Sequence, residues 1–182
     1  MNRNVIWTAV IAVGLMLSMS VVASSAFTTM QLDRDANIDV VNDQNGIIAL
    51  QAHPDSDVAN GTDSGALQID FDQNNNGAGV NVNSTYTVGD KTDAQNSYAF
   101  NITNQNTGAL DLNINYTLTN SVSDGSTVKF QVYNSTTNLG TVTPGTPITE
   151  TMEPNDTLYV VIEVEGGTAS TDDLSGTLTI SV

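Results

Sequence analysis

The sequence predicts an all-β protein: an antiparallel β-sandwich, jelly-roll or Ig-like, of about ten short strands following an N-terminal signal helix. Three observations carry this reading. Apolar and polar residues alternate with period two through most of the chain after Ala26. Turn-forming pairs punctuate that alternation at short intervals. The 3.6-residue apolar period of a long amphipathic helix is absent downstream of Ala26.

The first element is the exception. Asn2, Arg3 and Asn4 make a weakly basic start, Val5 to Val22 runs apolar, and Ala23-Ser24-Ser25-Ala26 supplies small residues. That order is the pattern of a secretory signal peptide with cleavage after Ala26, so residues 1–26 read as signal and residues 27–182 as one sandwich domain. Arg3 stands alone, which sets aside twin-arginine export, and no pilin-type processing site precedes Val5. The expected destination is the cell surface or the extracellular space by the general secretory route, with no membrane contact after cleavage.

The strands then follow in order: Ile38 to Val41, Ile47 to Gln51, Ala66 to Phe71, Val80 to Val88 and Tyr98 to Asn104, then Leu110 to Thr119, Thr127 to Tyr133, Leu139 to Val142, Leu158 to Glu165 and Gly176 to Val182. Between them lie Asn45-Gly46, Asn60-Gly61, Asn74 to Gly79, Thr107-Gly108, Asp124-Gly125, Pro144-Gly145, Pro154-Asn155-Asp156 and Gly166-Gly167. The clearest stretch has Leu110, Leu112, Ile114, Tyr116 and Leu118 on one face, with Asp111, Asn113, Asn115, Thr117 and Thr119 on the other. One dry and one wet face is what an antiparallel sheet packed on one side requires. Leu158 to Val164 is nearly continuous, as expected of a strand in the middle of a sheet.

Composition narrows function. Hydrophobic residues are 39% of the chain but aromatics only 5%, so the core must rest on aliphatic side chains. The formal net charge is -16, from 4 Lys+Arg against 20 Asp+Glu. Such a surface repels nucleic acid and anionic lipid, and is that of a protein kept soluble at high salt, where the screening length falls to ~3 Å. With no cysteine there is no disulfide framework, thiolate metal site or cysteine nucleophile. One histidine, and no tryptophan beyond Trp7, leave no triad, zinc signature or aromatic sugar groove. The reading is a non-enzyme with no required cofactor.

Several local patterns remain as candidate sites. Asn-x-Ser/Thr sequons occur at Asn60, Asn83, Asn101, Asn115, Asn134 and Asn155. Of these, Asn60, Asn83, Asn134 and Asn155 are favoured as glycosylation sites by their loop context. Asp70, Asp72, Asn74 and Asn76, followed by Gly77, resemble the start of a calcium loop, although Asn83 stands where the closing Glu would be. His53, before Pro54, has no second histidine with which to hold a metal and reads as a loop residue.

Further residues carry a family resemblance. The signal ending Ser-Ser-Ala-Phe, the run Arg34 to Asp43, and Gly46 to Leu50 resemble haloarchaeal secreted proteins of the DUF1102 family. Gly79 to Ser84, Tyr98 to Asn104 followed by Gly108, Glu153 to Asp156, and Gly176 to Ile180 fit it as well. That family is similar, more remotely, to the TasA and camelysin biofilm-matrix proteins and to archaeal bundling-pilus subunits. The resemblance implies a jelly-roll subunit of a filament, pilus or biofilm matrix, self-associating when the N-terminal segment of one copy adds as a strand to the next. Phe27, Met30 and Leu32 would be the donor side chains. The alternative is a monomeric cell-surface adhesion or ligand-binding module whose partners are surface proteins or glycans.

Overall fold

The computed structural model describes residues 45–61, 66–71, 80–135, 137–168 and 173–182, all within the unit Val40–Val182. Every regular element among them is a strand. The expected signal (1–26), the strand Ile38 to Val41 and the donor residues Phe27, Met30 and Leu32 lie outside the described residues.

Eleven strands are described: β1 (Ile48–Ala52), β2 (Ala59–Gly61), β3 (Leu67–Ile69), β4 (Thr85–Val88), β5 (Phe100–Asn104), β6 (Leu110–Leu118), β7 (Thr127–Asn134), β8 (Thr137–Val142), β9 (Ile148–Met152), β10 (Thr157–Glu165) and β11 (Gly176–Ser181). A six-stranded antiparallel sheet runs in the order β1-β5-β10-β7-β8, with β4 also paired to β10. The second sheet runs β11-β6-β9, and β2 and β3 form a separate two-stranded ribbon. The all-β sandwich expected from the alternation is therefore present.

Strand β10 explains the large sheet. Its first half, Thr157 to Val160, pairs with β5, and its second half, Ile162 to Glu165, pairs with β4, while β7 lines its other side from Tyr159 to Glu165. β4 and β5 thus lie end to end along one flank of β10, separated by the excursion from Gly89 to Ala99. Leu158, Val160, Ile162 and Val164 face the core. Val161 faces the opposite way, where it is covered with Tyr133 by Ala94 of the excursion. Burial on both faces is why the β10 sequence is continuously apolar from Leu158 to Ile162.

Both sheets feed one core. Phe100, Ile102, Val132, Val142, Val160 and Ile162 from the large sheet meet Leu112, Ile114 and Met152 from the small one, all almost fully buried. Asn104 joins the sheets where β5 leaves one and β6 enters the other. It is completely buried, and its Nδ2 donates to the carbonyls of Gly108, Met152 and Glu153 at 3.1, 3.0 and 3.1 Å. Its Oδ1 accepts from the Asn106 amide at 2.9 Å. A buried amide is tolerated only when so satisfied.

Three differences from the sequence reading have local causes. The expected Val80 to Val88 strand begins only at Thr85, because Asn83 turns the chain through φ 52° and its amide bonds back to the Gly166 and Gly167 carbonyls. The alternation of Val80, Asn81, Val82 and Asn83 therefore belongs to a turn. Strand β9 was not expected, since Ile148–Met152 follows Pro147 and carries Glu150 in its core-facing row. The Asn60-Gly61 pair, read as a turn, closes the short strand β2.

Candidate assembly surface

The sandwich is closed unevenly. At the β4 end the pleat places Tyr86 in the core-facing row, opposite Val164 and two residues from buried Val88. Tyr86 is nevertheless 45% exposed. Its ring meets Phe71 edge-on, with centroids 5.8 Å apart, and nearby Val82 is 43% exposed. Among the described residues β4 pairs only with β10. An apolar row therefore reaches solvent beside an unpaired backbone edge, the combination that can accept an added strand.

The remaining sheet edges differ in how they are protected. On β9, Glu150 occupies the same row as fully buried Leu112, an inward-pointing charge on an edge strand. On β8 the pairing with β7 shifts register between Val132 and Tyr133, and Pro144 follows the strand. β1 has the β2–β3 ribbon packed against it. Strand β11 has none of these features. Its residues Gly-Thr-Leu-Thr-Ile-Ser carry no charge, no proline and no register shift.

The outer face of the large sheet holds the charge pairing. The chain has two lysines, Lys91 and Lys129, and both meet Glu163. Lys91 Nζ, carried by the excursion, binds Oε2, while Lys129 Nζ lies 3.1 Å from Oε1 and 2.7 Å from Glu165 Oε1. The Lys91 hydrogen bond, followed by that from Lys129, holds the Glu163 carboxyl below its ordinary range against the opposing effect of burial. The Glu165 and Glu163 carboxylates hold the Lys129 ammonium above its ordinary value. This cluster ties the excursion to β10 and β7, as does Ala94 packed on Val161. At the start of the excursion, Gly89 sits at φ 96°, where an added Cβ would lie 2.9 Å from the Ser97 carbonyl oxygen. Glycine is required there on both counts.

Farther along the same face, His53 stands edge-on to Tyr98 (4.6 Å), which packs against Tyr159 (5.2 Å). His53 Nδ1 accepts from the Asp55 amide at 3.1 Å, so Nε2 carries the proton and donates to the Asn96 carbonyl at 3.2 Å. The histidine read as an isolated loop residue is a strut between two loops.

The other sequence candidates distribute as follows. Asp70 lies exposed just after β3, while Asp72, Asn74 and Asn76 lie outside the described residues. Among the described residues no group of three or more His, Cys, Asp or Glu side chains converges as metal ligands would. Asn60 lies in β2; Asn83, Asn134 and Asn155 are exposed, with Asn83 and Asn155 in left-handed turns at φ 52° and 67°. Asn101 and Asn115 are half-buried within strands, and the Asn101 Nδ2 donates to Tyr98 Oη at 3.3 Å. Sequence reasoning missed the roles of Asn104 and Glu163, because nothing local to either marks the partners that meet it from elsewhere in the chain.

No family model, curated protein or solved structure matches this chain.

Proposed function

We propose that this chain is a secreted structural subunit of an extracellular filament, pilus or biofilm matrix, assembled when the N-terminal segment bearing Phe27, Met30 and Leu32 adds as a strand to the next copy. The observation that carries the reading is the open β4 end, where Tyr86 is exposed from a core-facing row beside an edge that is unpaired among the described residues. A donated strand there supplies backbone hydrogen bonds to β4, and its apolar side chains cover Tyr86, Phe71 and Val82. The strongly acidic composition is part of the same reading: cleavage of residues 1–26 removes Arg3 and leaves 3 Lys+Arg against 20 Asp+Glu, and copies carrying that formal charge of 3 - 20 = -17 approach closely only where salt screens them. Exposed Asn83, Asn134 and Asn155 are its glycosylation sites, and the DUF1102 resemblance points the same way.

Electron microscopy of the secreted protein in molar salt tests it. Filaments should form, and should vanish when Phe27 to Asp33 are deleted or when Tyr86→Arg places a charge in the acceptor. Filaments that survive both changes exclude strand donation. Dispersed particles in every sample favour a monomeric surface-binding module, for which the Tyr98–Tyr159–His53 cluster on the outer face is the contact surface.

A further inference from the structure

We infer that β11 is a second, independent contact edge, through which two copies of this chain pair antiparallel into one continuous sheet. The argument rests on contrast. In a chain with 20 acidic residues, edge strand β9 turns Glu150 inward and β8 is irregular and followed by proline, features that discourage edge pairing. β11 is six residues long, uncharged and regular, and among the described residues it pairs only with β6.

Its two rows suit a copy of itself. Leu178 and Ile180 stand opposite Tyr116 and Ile114 in the core-facing row but are only half-buried, and Val182 beyond them is 69% exposed. Thr177, Thr179 and Ser181 form the outer row, opposite Thr117, Asn115 and Asn113. A twofold axis through Thr179 sets Thr179 against Thr179, and Leu178 against Ile180 of the second copy. Each half-buried aliphatic then gains an apolar neighbour, and no carboxylate faces another across the seam. Such a contact uses the same patch on both copies and closes on itself, so it makes a pair rather than a chain. The β4 end, by contrast, would link copies head to tail. The seam also extends the outer face of the small sheet, where Asn113 donates to Thr149 at 3.2 Å and Thr151 donates to Asp111 at 2.7 Å.

The absence of cysteine supplies the test. Thr179→Cys introduces the only thiol in the chain, and directly paired strands bring the two Cα atoms within the ~4.4–6.8 Å that a disulfide spans. Thr151→Cys, exposed on guarded β9, is the control. Circular dichroism establishes that both variants keep the β fold. Under mild oxidation in molar salt, Thr179→Cys should give covalent dimers on the order of tenfold or more faster than Thr151→Cys, as held proximity requires. Equal rates, or no dimer from Thr179→Cys, overturn the inference. The same comparison after deleting Phe27 to Asp33 separates the two contacts. Lost filaments with retained cross-linking support both, whereas retained filaments with retained cross-linking remove only the donated strand.

Discussion

Strands β10 and β11 both turn aliphatic side chains toward the core, yet they occupy opposite conditions. β10 has neighbours along both edges and packing on both faces, so Leu158, Val160, Val161, Ile162 and Val164 are each at most 5% exposed. Among the described residues β11 pairs with β6 alone, and Leu178 and Ile180 remain half-buried although their pleat points them at the same core. The difference lies in the number of neighbours. An aliphatic side chain in an edge row contributes only the area its neighbours remove from water, and what remains exposed is available to another molecule.

Substitution in the two strands should show the contrast most strongly. Ile162→Ala should cost about 2–5 kcal/mol, because it opens a cavity in a closed core, whereas Ile180→Ala should cost about half as much or less. Denaturant unfolding of both variants at one fixed molar salt concentration reads the difference. Equal losses would mean that β11 is as enclosed as β10.

A second comparison lies within β5, where Asn104 is wholly buried and Asn101 half-exposed. Asn104→Ala leaves the buried Met152 carbonyl and the Asn106 amide without their partner and should cost about 2–3 kcal/mol. Asn101→Ala, which loses one long bond to Tyr98 and leaves water able to replace it, should cost about 1 kcal/mol or less.

A third comparison, at the ionic cluster, should depend on pH. Glu163→Gln should destabilise by about 1–3 kcal/mol at neutral pH. Glu163 has a depressed carboxyl value, so its contribution is fully present above the ordinary 4.5 and is lost as pH falls through the lower folded value. Parent and variant should converge in acid. The Lys129 value is raised, so its contribution is present below the ordinary 10.5 and fades as pH rises through the higher folded value. Unfolding curves from pH 2 to 7 that stay parallel would show that Glu163 does not stabilise through its charge.

Much of the sandwich was legible in the alternation. Leu110 to Leu118, Val128 to Val132 and Leu158 to Val164 take the faces and the central position that their patterns required, because period-two burial leaves a direct imprint on sequence. β9 was not legible, because a guarded edge strand carries Glu150 where the pattern expects an aliphatic residue. The candidate site was less legible still. Nothing near Tyr86 indicates that its core-facing row lacks a cover, and nothing near Glu163 indicates that Lys91 and Lys129 reach it from 72 and 34 residues away.

By itself, then, the sequence determined the all-β class, most strands and their faces, and the acidic, cysteine-free surface, since these follow from side-chain period and composition. The tertiary structure decided which strands became edges, which edges were protected, and where the two lysines met one glutamate. Those outcomes depend on contacts between residues far apart in the chain, and strand alternation carries no record of which strand lies beside which.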